Sequence, residues 1–347
     1  MDNSFSESNE WFTRLFGFEE VPNQVASHFS LSKDRNGDIM ITSKDNGKSY
    51  SVGNFQIRDL KSFKDLQEIG GGTLNLLVGN GSQTVDADII TCETNPENNG
   101  ATFQMASNFN CLDHMPYKKP PMGYLSYYVT SHEQGGPGTV ACGPALVYRQ
   151  YLLPHPSGRI GQMDEDVQLL SRTPAEVIDG YVHYLPPLFN WSNPDNYQVG
   201  VHQNIDVTLG RSGNRGNQFR IVENQRIHQV FCSTLCFGYV EKSNANLKIA
   251  ENILSNEYKL TVLSAWENSL KYPGKKGSKK LFLCLIGGGA FGNPIDLICR
   301  SISSAVELII KSGLEVYLVC FNKNEYNKVI QYIKNDVEKT GGKEIFL

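Results

Sequence analysis

The chain has 347 residues, of which 40% are apolar and 20% are charged, and its formal net charge at pH 7 is −4. This composition is typical of a globular protein with one large or two ordinary domains, and the net negative charge gives no support to nucleic-acid binding. No stretch approaches the roughly 18 consecutive apolar residues of a membrane span, and the first residues lack the basic and apolar segments of a signal peptide. We therefore expect a cytoplasmic protein, with the nucleus left open, and neither a nucleic-acid nor a membrane partner.

The first 72 residues predict a small β-rich extension. Its predicted elements are, in order, a helix over 9–16, strands over 28–31, 38–42 and 49–52, and a helix over 60–69. Glycine-containing turns separate the strands, and three consecutive glycines close the segment. The pattern therefore divides the chain into an extension over 1–72 and a core over 73–347.

The core begins with two predicted strands, over 74–78 and 85–92, of which the second carries Asp88 towards its end. A helix is predicted next, over 101–112, with Gln104 and Asn108 on an amide-rich face without charged residues. Such a face suits a cleft wall that hydrogen-bonds ligand hydroxyls. The alternative is an ordinary, partly buried helix whose amides bond the backbone.

The middle of the chain has weaker periodicity. Gln134-Gly-Gly-Pro137 predicts a second glycine-rich polar loop, which a two-sided ligand cleft needs, or else a plain turn. The other expected features are a strand–helix passage over 140–151, strands over 207–209 and 230–235, and an exposed polar insertion over 210–216. Eight cysteines are expected as free thiols, and without a second cysteine pair or clustered histidines no metal site is predicted.

The last third of the chain alternates helices and strands. The predicted order is a helix over 244–271, a strand over 281–286, a helix over 295–312, a strand over 314–321 and a helix over 324–339. Strand, helix and strand at these lengths predict a right-handed parallel crossover. The fold class is therefore α/β, with ligand chemistry expected at the carboxyl ends of the strands.

The loop Gly287-Gly-Gly-Ala-Phe-Gly-Asn293 joins the strand over 281–286 to the following helix, with Asn293 predicted as N-cap and Pro294 in the first turn. Glycines let a ligand approach the backbone closely, and free N–H groups at a helix N-terminus bind phosphate. A ligand-free turn is one alternative. A dinucleotide fold is another, but no carboxylate ends the next strand and too little chain follows the motif.

The glycine loop resembles the second phosphate loop of macrodomain-type folds, particularly that of poly(ADP-ribose) glycohydrolases. Further segments resemble a related family of eukaryotes, viruses and bacteria that has a macrodomain-like core; they are 46–53, 100–112, 134–137, 148–149 and 229–233. Members of this group found as bacterial effectors remove ADP-ribose from arginine. The resemblance implies a three-layer α/β/α core with a mixed central sheet, no required cofactor, ADP-ribose as ligand or product, and an ADP-ribosylated protein as partner.

The resemblance also implies a set of ligand contacts. Residues of the glycine loop would hold the diphosphate and distal ribose, with Phe291 against the ribose; they are Gly287, Gly288, Gly289, Ala290, Phe291, Gly292 and Asn293. Three amides would line the distal ribose, namely Asn95, Gln104 and Asn108. Asp88, Phe321 and Asn322 would contact the adenine, and Gln134 and Gly135 belong to the second loop.

Hydrolysis at the anomeric carbon passes through an oxocarbenium-like state and needs a carboxylate. Poly(ADP-ribose) glycohydrolases place two glutamates after a glutamine, whereas Met105 and Ala106 follow here. The resemblance to the related family makes Asp113 a candidate catalytic residue, and Glu133, next to Gln134, is a second.

The acidic residues also have other interpretations. Asp113 could equally be a solvated helix terminus, and Asp164 and Asp166 are further candidates that fit surface acids better. The sequence thus supports two functions: an ADP-ribosyl hydrolase that acts on modified side chains, and a catalytically silent ADP-ribose reader.

Overall fold

The structure, a computed structural model, describes residues 4–5, 10–112, 124–130, 135–154, 168–213 and 218–347. Its helices are α1 (Trp11–Phe16), α2 (Pro22–Val25), α3 (Ile89–Thr94), α4 (Gly135–Ala141), α5 (Gly143–Val147), α6 (Asn244–Lys271), α7 (Ile295–Ser303), α8 (Val306–Ser312) and α9 (Lys323–Thr340). Its strands are β1 (Ser4–Phe5), β2 (Phe29–Lys33), β3 (Ile39–Ser43), β4 (Ser49–Asp59), β5 (Thr73–Val78), β6 (Thr102–Ala106), β7 (Glu176–Ile178), β8 (Tyr181–Tyr184), β9 (Gln198–Asp206), β10 (Leu209–Ser212), β11 (Gln218–Ile221), β12 (Arg226–Cys232), β13 (Lys280–Leu283), β14 (Glu315–Cys320) and β15 (Glu344–Phe346).

A ten-stranded mixed sheet forms the centre of the molecule, in the order β15-β5-β14-β13-β6-β12-β9-β4-β3-β2. The six strands from β15 to β12 pair in parallel, and the pairs from β12 through β9 to β2 are antiparallel. Two small sheets, β1-β11-β10 and β7-β8, lie beside it. The predicted α/β class with a mixed central sheet is confirmed, as is the parallel crossover from β13 to β14.

Helices cover both faces of the central sheet. On one face the rings of Phe103, Phe282 and Tyr317 stack across three strands, with centroid separations of 4.7 and 5.2 Å. On the other face Thr102 accepts a hydrogen bond from Asn268 of α6. Because both faces of the central strands are buried, residues of β6 are apolar or hydrogen-bonded throughout. The result is the expected three-layer arrangement.

The N-terminal strands continue the central sheet. Strand β4 pairs with β9 from Asn54 opposite Gln203 to Asp59 opposite Gln198, and β3 and β2 follow as a meander. The β-rich character of the first 72 residues is therefore present, in strands that extend the core sheet. The boundary between residues 72 and 73 remains a prediction.

Two predicted elements near the site are wrong. The segment predicted as a strand over 85–92 contains α3, for which Asp88 is the N-cap that accepts from the N–H of Thr91. The segment predicted as a helix over 101–112 begins with β6 instead. A strand that is buried on both faces has no alternation of apolar and polar residues. The segment over 101–112 therefore lacked a strand pattern, and a chance helical spacing led to the wrong prediction.

Smaller corrections concern ends and loops. The predicted helix over 60–69 is limited to a short 3-10 turn, Leu60–Ser62, and the predicted helix over 295–312 is divided into α7 and α8. Strand β10 shares only Leu209 with the predicted strand over 207–209 and continues into the segment predicted as an exposed insertion over 210–216. Gly135–Pro137 opens α4 rather than a loop. Helix 244–271 is confirmed, and the predictions over 314–321 and 324–339 are correct to within one residue at each end.

The state of the cysteines agrees with the sequence expectation. All eight cysteines are free, as predicted. In the ranges that the structure describes, no three histidine, cysteine or acidic residues are arranged to hold a metal ion. No helix in those ranges has both the length and the apolar character needed to cross a bilayer.

Candidate ligand site

A cavity of about 750 Å³ opens at the carboxyl ends of the central parallel strands. Its wall includes the segments that follow β6, β12, β13 and β14, together with residues before and within α3. The carboxyl edge of a parallel sheet is where ligands bind in open α/β folds, and the volume suits a small organic ligand. The cavity lies where the sequence predicts it.

The glycine loop, residues 287–293, forms one wall of the cavity. Gly287 and Gly292 have φ values of +74° and +71°, a region that favours glycine. A β-carbon at position 287 would stand 2.3 Å from Thr234 Cγ2, whereas one at Gly289 would meet nothing within 4 Å. The loop therefore requires glycine at 287, and its tip at 289 faces open space.

Four backbone N–H groups of this loop are available to a ligand. Within the described part of the chain, the N–H groups of Gly287, Gly289, Ala290 and Phe291 have no hydrogen-bond acceptor. By contrast, the N–H of Gly292 donates to Gly289 O, 3.0 Å away, and closes the turn. Neighbouring unpaired amides form a site that suits an anion.

Hydrogen bonds from neighbouring elements hold the loop in place. Asn293 Nδ2 donates to Leu235 O at 2.9 Å and to Gly287 O at 3.3 Å. Lys242 Nζ donates to Gly292 O at 2.7 Å, and the N–H of Phe237 donates to Phe291 O at 3.0 Å. The prediction of Asn293 as the helix N-cap is wrong, because Pro294 occupies that position and no side chain caps α7.

The segment after β12 lies against the glycine loop. Ser233 and Thr234 line the cavity, and each is 1% exposed. The hydroxyl oxygens of both, and Asn293 Oδ1, are buried and have no hydrogen-bond partner among the residues that the structure describes. The N–H of Ser233 donates to Glu257 Oε2 at 2.9 Å, and burial raises the pKa of this Glu257 carboxyl well above its usual range. Unpaired polar atoms are therefore concentrated beside the loop.

Charged residues form another part of the wall. Arg211 of β10 donates to both carboxylate oxygens of Asp88 at 3.3 Å, with the Arg211 side chain 10% and the Asp88 side chain 0% exposed. The Asp86 carboxylate accepts from the side-chain amide of Asn95, and burial raises the pKa of Asp86. A cation, two carboxylates and the free amides thus border one cavity.

The residues predicted as ligand-binding or as catalytic carboxylates divide into three groups. Those that line the cavity are Asp88, Gln104, Asn108, Gly135, Gly287, Gly288, Gly289, Ala290, Phe291, Asn293 and Phe321. Those that are described but lie outside its lining are Asn95, Gly292 and Asn322. Those outside the described residues are Asp113, Glu133 and Gln134, and the further candidates Asp164 and Asp166.

Gln104 and Gly135 line the cavity in a different way from the one predicted. Gln104 Nε2 donates to Thr261 Oγ1 at 3.2 Å and its Oε1 accepts from the N–H of Cys284 at 3.3 Å, so its amide is engaged on the α6 face. Gly135 lies in a helix, where a β-carbon would stand 2.4 Å from Ala106 O. Glycine there allows α4 to approach β6 closely.

Two predicted residues outside the lining have structural partners. Asn95 accepts from the N–H of Glu97 and contacts Asp86. Asn322 caps α9 by accepting from the N–H groups of Asn324 and Glu325.

Several polar cavity residues are absent from the sequence-based set, among them Gln83, Asp86, Ser233, Thr234, Arg211 and Lys328. No local motif marks Arg211, because the β10–β11 hairpin brings it to the cavity from a segment predicted as exposed. Ser233 belongs to one of the segments that carry the family resemblance, which was the available signal. Lys328 was predicted only as part of a helix.

An aromatic cluster borders the glycine loop. The ring of Phe291 lies 5.7 Å from that of Tyr181, which lies 4.9 Å from Tyr239. Tyr239 is 46% exposed, so the cluster extends from the cavity wall to the surface.

No family model and no curated protein matches the sequence. Among solved structures, the fold is similar to that of a point variant of poly(ADP-ribose) glycohydrolase from Deinococcus radiodurans in complex with ADP-ribose, with 10% identity, a TM-score of 0.43, and coverage of 82% of this chain and 95% of that chain. It is also similar to poly(ADP-ribose) glycohydrolase from Thermomonospora curvata, with 9% identity, a TM-score of 0.40, and coverage of 94% and 98%.

Proposed function

We propose that the cavity binds ADP-ribose and that the protein releases ADP-ribosyl groups from modified protein side chains. The observation that carries the proposal is the set of four unpaired N–H groups in residues 287–291 at the edge of a cavity of about 750 Å³. Free backbone amides bind phosphate oxygens without needing a cationic side chain. The resemblance of the loop to macrodomain-type phosphate loops supports the choice of a nucleotide diphosphate.

The remainder of the wall suits the other parts of such a ligand. Phe291 and Phe321 are half-buried aromatic residues in the lining, and they offer faces for a ribose and a base. Asp88 with Arg211 and Asp86 supply acceptors and donors for polar edges. This combination of aromatic faces, charged pairs and free amides supports a ligand with a base, sugars and a diphosphate.

For the hydrolytic step we propose Asp113 and Glu133 as the carboxylates, with arginine as the modified side chain. A carboxylate near the anomeric carbon activates water or stabilises the cationic transition state. The diphosphate held by the glycine loop supplies binding energy remote from the reacting bond and fixes its orientation.

A specific observation favours a second function, that of a silent reader. Met105 and Ala106 occupy the positions after Gln104 where the glycohydrolases carry glutamates, and Met105 is 1% exposed. A protein that binds ADP-ribose without hydrolysing it fits the same cavity.

Calorimetry with ADP-ribose tests the binding proposal, using Gly289→Glu and Gly289→Gln as a matched pair. Position 289 has open space and no positive φ, so both side chains fit. The carboxylate of Gly289→Glu should abolish binding by repelling the diphosphate, whereas Gly289→Gln should retain most of it. No binding by the wild-type protein would overturn the proposal, and equal losses in both variants would show that the effect is steric.

Incubation with mono-ADP-ribosylated arginine and serine peptides separates hydrolase from reader. Release of ADP-ribose from the arginine peptide, lost in Asp113→Asn or Glu133→Gln with binding retained, is the expected result. Binding without release leaves only the reader.

A further inference from the structure

We propose that Thr234 and Ser233 are ligand-binding residues, whose hydroxyl groups hold the phosphate oxygens that the glycine loop leaves uncovered. This inference rests on the proposed function and names a second wall of the phosphate site. Ser233 ends one of the segments that carry the family resemblance and Thr234 lies outside all of them; both directly follow β12, about fifty residues before the glycine loop.

Thr234 lies directly beside the start of the glycine loop. Thr234 Cγ2 would lie 2.3 Å from a β-carbon at Gly287, so this methyl group packs directly on the α-carbon that starts the loop. The N–H of Gly287 is one of the four unpaired amides. Two hydrogen bonds, Asn293 Nδ2 to Leu235 O and the N–H of Phe237 to Phe291 O, join the two segments side by side. Thr234 therefore has a fixed place beside the free amides.

The hydroxyl groups of Ser233 and Thr234 are both buried. Ser233 and Thr234 are each 1% exposed, and neither Ser233 Oγ nor Thr234 Oγ1 has a hydrogen-bond partner in the described ranges of the chain. A buried hydroxyl without a partner costs about 1–3 kcal/mol. Two such hydroxyls on successive residues of one cavity wall are accounted for if a bound ligand supplies their partners.

The donors and acceptors on this wall indicate the chemistry of the ligand. A hydroxyl next to free N–H groups donates to the same kind of acceptor, and phosphate oxygens accept several hydrogen bonds at once. Asn293 Oδ1 also has no partner among the described residues, and as an amide oxygen it can only accept, whereas Asn293 Nδ2 already donates to Leu235 O and Gly287 O. The ligand that satisfies all three atoms has phosphate oxygens beside a hydroxyl donor, which is the composition of a sugar phosphate.

The test compares Thr234→Val with Thr234→Ser by calorimetry with ADP-ribose and with ADP. Valine keeps the methyl group against Gly287 and removes the hydroxyl, while serine keeps the hydroxyl. We expect Thr234→Val to lower the affinity for both ligands about 10-fold or more, because a hydrogen bond to a charged group is lost. Thr234→Ser should stay within about threefold of wild type, and Ser233→Ala should weaken binding as Thr234→Val does.

Thermal unfolding provides a second measurement. A hydroxyl with only a structural role would not affect how far the ligand raises the melting temperature. Without ligand, Thr234→Val should unfold at the same or a higher temperature than wild type, because an unpaired buried hydroxyl is removed. With ADP-ribose, the upward shift should be smaller than in wild type. Wild-type affinity in Thr234→Val, in a protein that binds ADP-ribose, would overturn this inference alone; failure of the wild-type protein to bind would instead remove the proposed function.

Discussion

The hydroxyl of Tyr258 bridges the end of β13 and the start of the glycine loop. It donates to Cys284 O at 2.8 Å and accepts from the N–H of Ile286 at 3.2 Å. Tyr258 is fully buried on α6, the longest helix, so the loop is tied to the most extended rigid element of the protein. A binding site is most effective when buried hydrogen bonds fix its backbone before the ligand arrives.

Tyr258→Phe should therefore loosen the loop. The variant keeps the ring and leaves Cys284 O and the Ile286 N–H without this partner, so the free energy of unfolding should fall by about 1–3 kcal/mol. Urea denaturation measures this loss, and hydrogen exchange should show faster exchange at Ile286. Unchanged exchange at Ile286 would contradict the anchoring role.

Two of the four glycines of the loop, Gly287 and Gly289, should respond differently to alanine. Gly287→Ala places a β-carbon 2.3 Å from Thr234 Cγ2 at a φ of +74°, whereas Gly289→Ala meets nothing within 4 Å. We expect a loss of at least about 1–2 kcal/mol for Gly287→Ala, from the backbone conformation alone. Gly289→Ala should unfold like wild type. Thermal melts of the pair measure the difference, and equal stability would mean that the loop conformation is incorrect.

The pair of Arg211 and Asp88 should behave as a coupled unit. Asp88→Asn retains a good N-cap for α3 but removes the carboxylate charge that the Arg211 guanidinium, 10% exposed, contacts at that position. The single variant should lose about 1–3 kcal/mol, and the double variant with Arg211→Met should lose less than the sum. A double-mutant cycle by urea denaturation gives the coupling, and strict additivity would show that the two charges do not interact.

The buried carboxyl of Glu93 should make stability depend on pH. Burial raises its pKa well above the usual range, so the folded state binds this proton more tightly than the unfolded state. This contribution is complete below the unfolded pKa of about 4.3 and is lost as pH rises towards the folded value, by at most about 1.4 kcal/mol per pH unit.

Glu93→Gln should therefore be more stable than wild type at neutral pH, with a difference that shrinks as the solution is acidified. Glutamine can still accept from Gln229 Nε2, which lies 2.9 Å from Glu93 Oε1. The matched control is Glu97→Gln, at a side chain that is 59% exposed. Urea denaturation between about pH 5 and 8 measures both, and parallel curves for wild type and Glu93→Gln would contradict the prediction.

The elements with strong local signals were predictable from the sequence. Helix α6 has a regular apolar spacing, and Gly313 and Gly341 end α8 and α9 with φ values of +69° and +71°. The short apolar run before Gly287 indicated a central strand and the loop after it. In each case a few neighbouring residues carry the necessary information.

The site was only partly predictable because much of it depends on tertiary contacts. Strand β6 lies between two parallel strands and is buried on both faces. Its sequence therefore lacks the alternation of apolar and polar residues that would have identified it as a strand. Arg211 and Thr234 reach the cavity through the pairing of β10 with β11 and the end of β12. No spacing in the sequence indicates which distant segments will meet.

The cavity draws its wall from residues as far apart as Gln83 and Lys328. A ribosome extends a chain from its N-terminus at about 5–20 residues per second, so the meander of β2, β3 and β4 emerges long before the glycine loop does. A ligand in this cavity can consequently stabilise only chains that have been synthesised beyond Lys328. Copies that are still being synthesised must begin to fold without help from the ligand, and the concentration of that ligand would affect the lifetime of folded molecules more than their first folding.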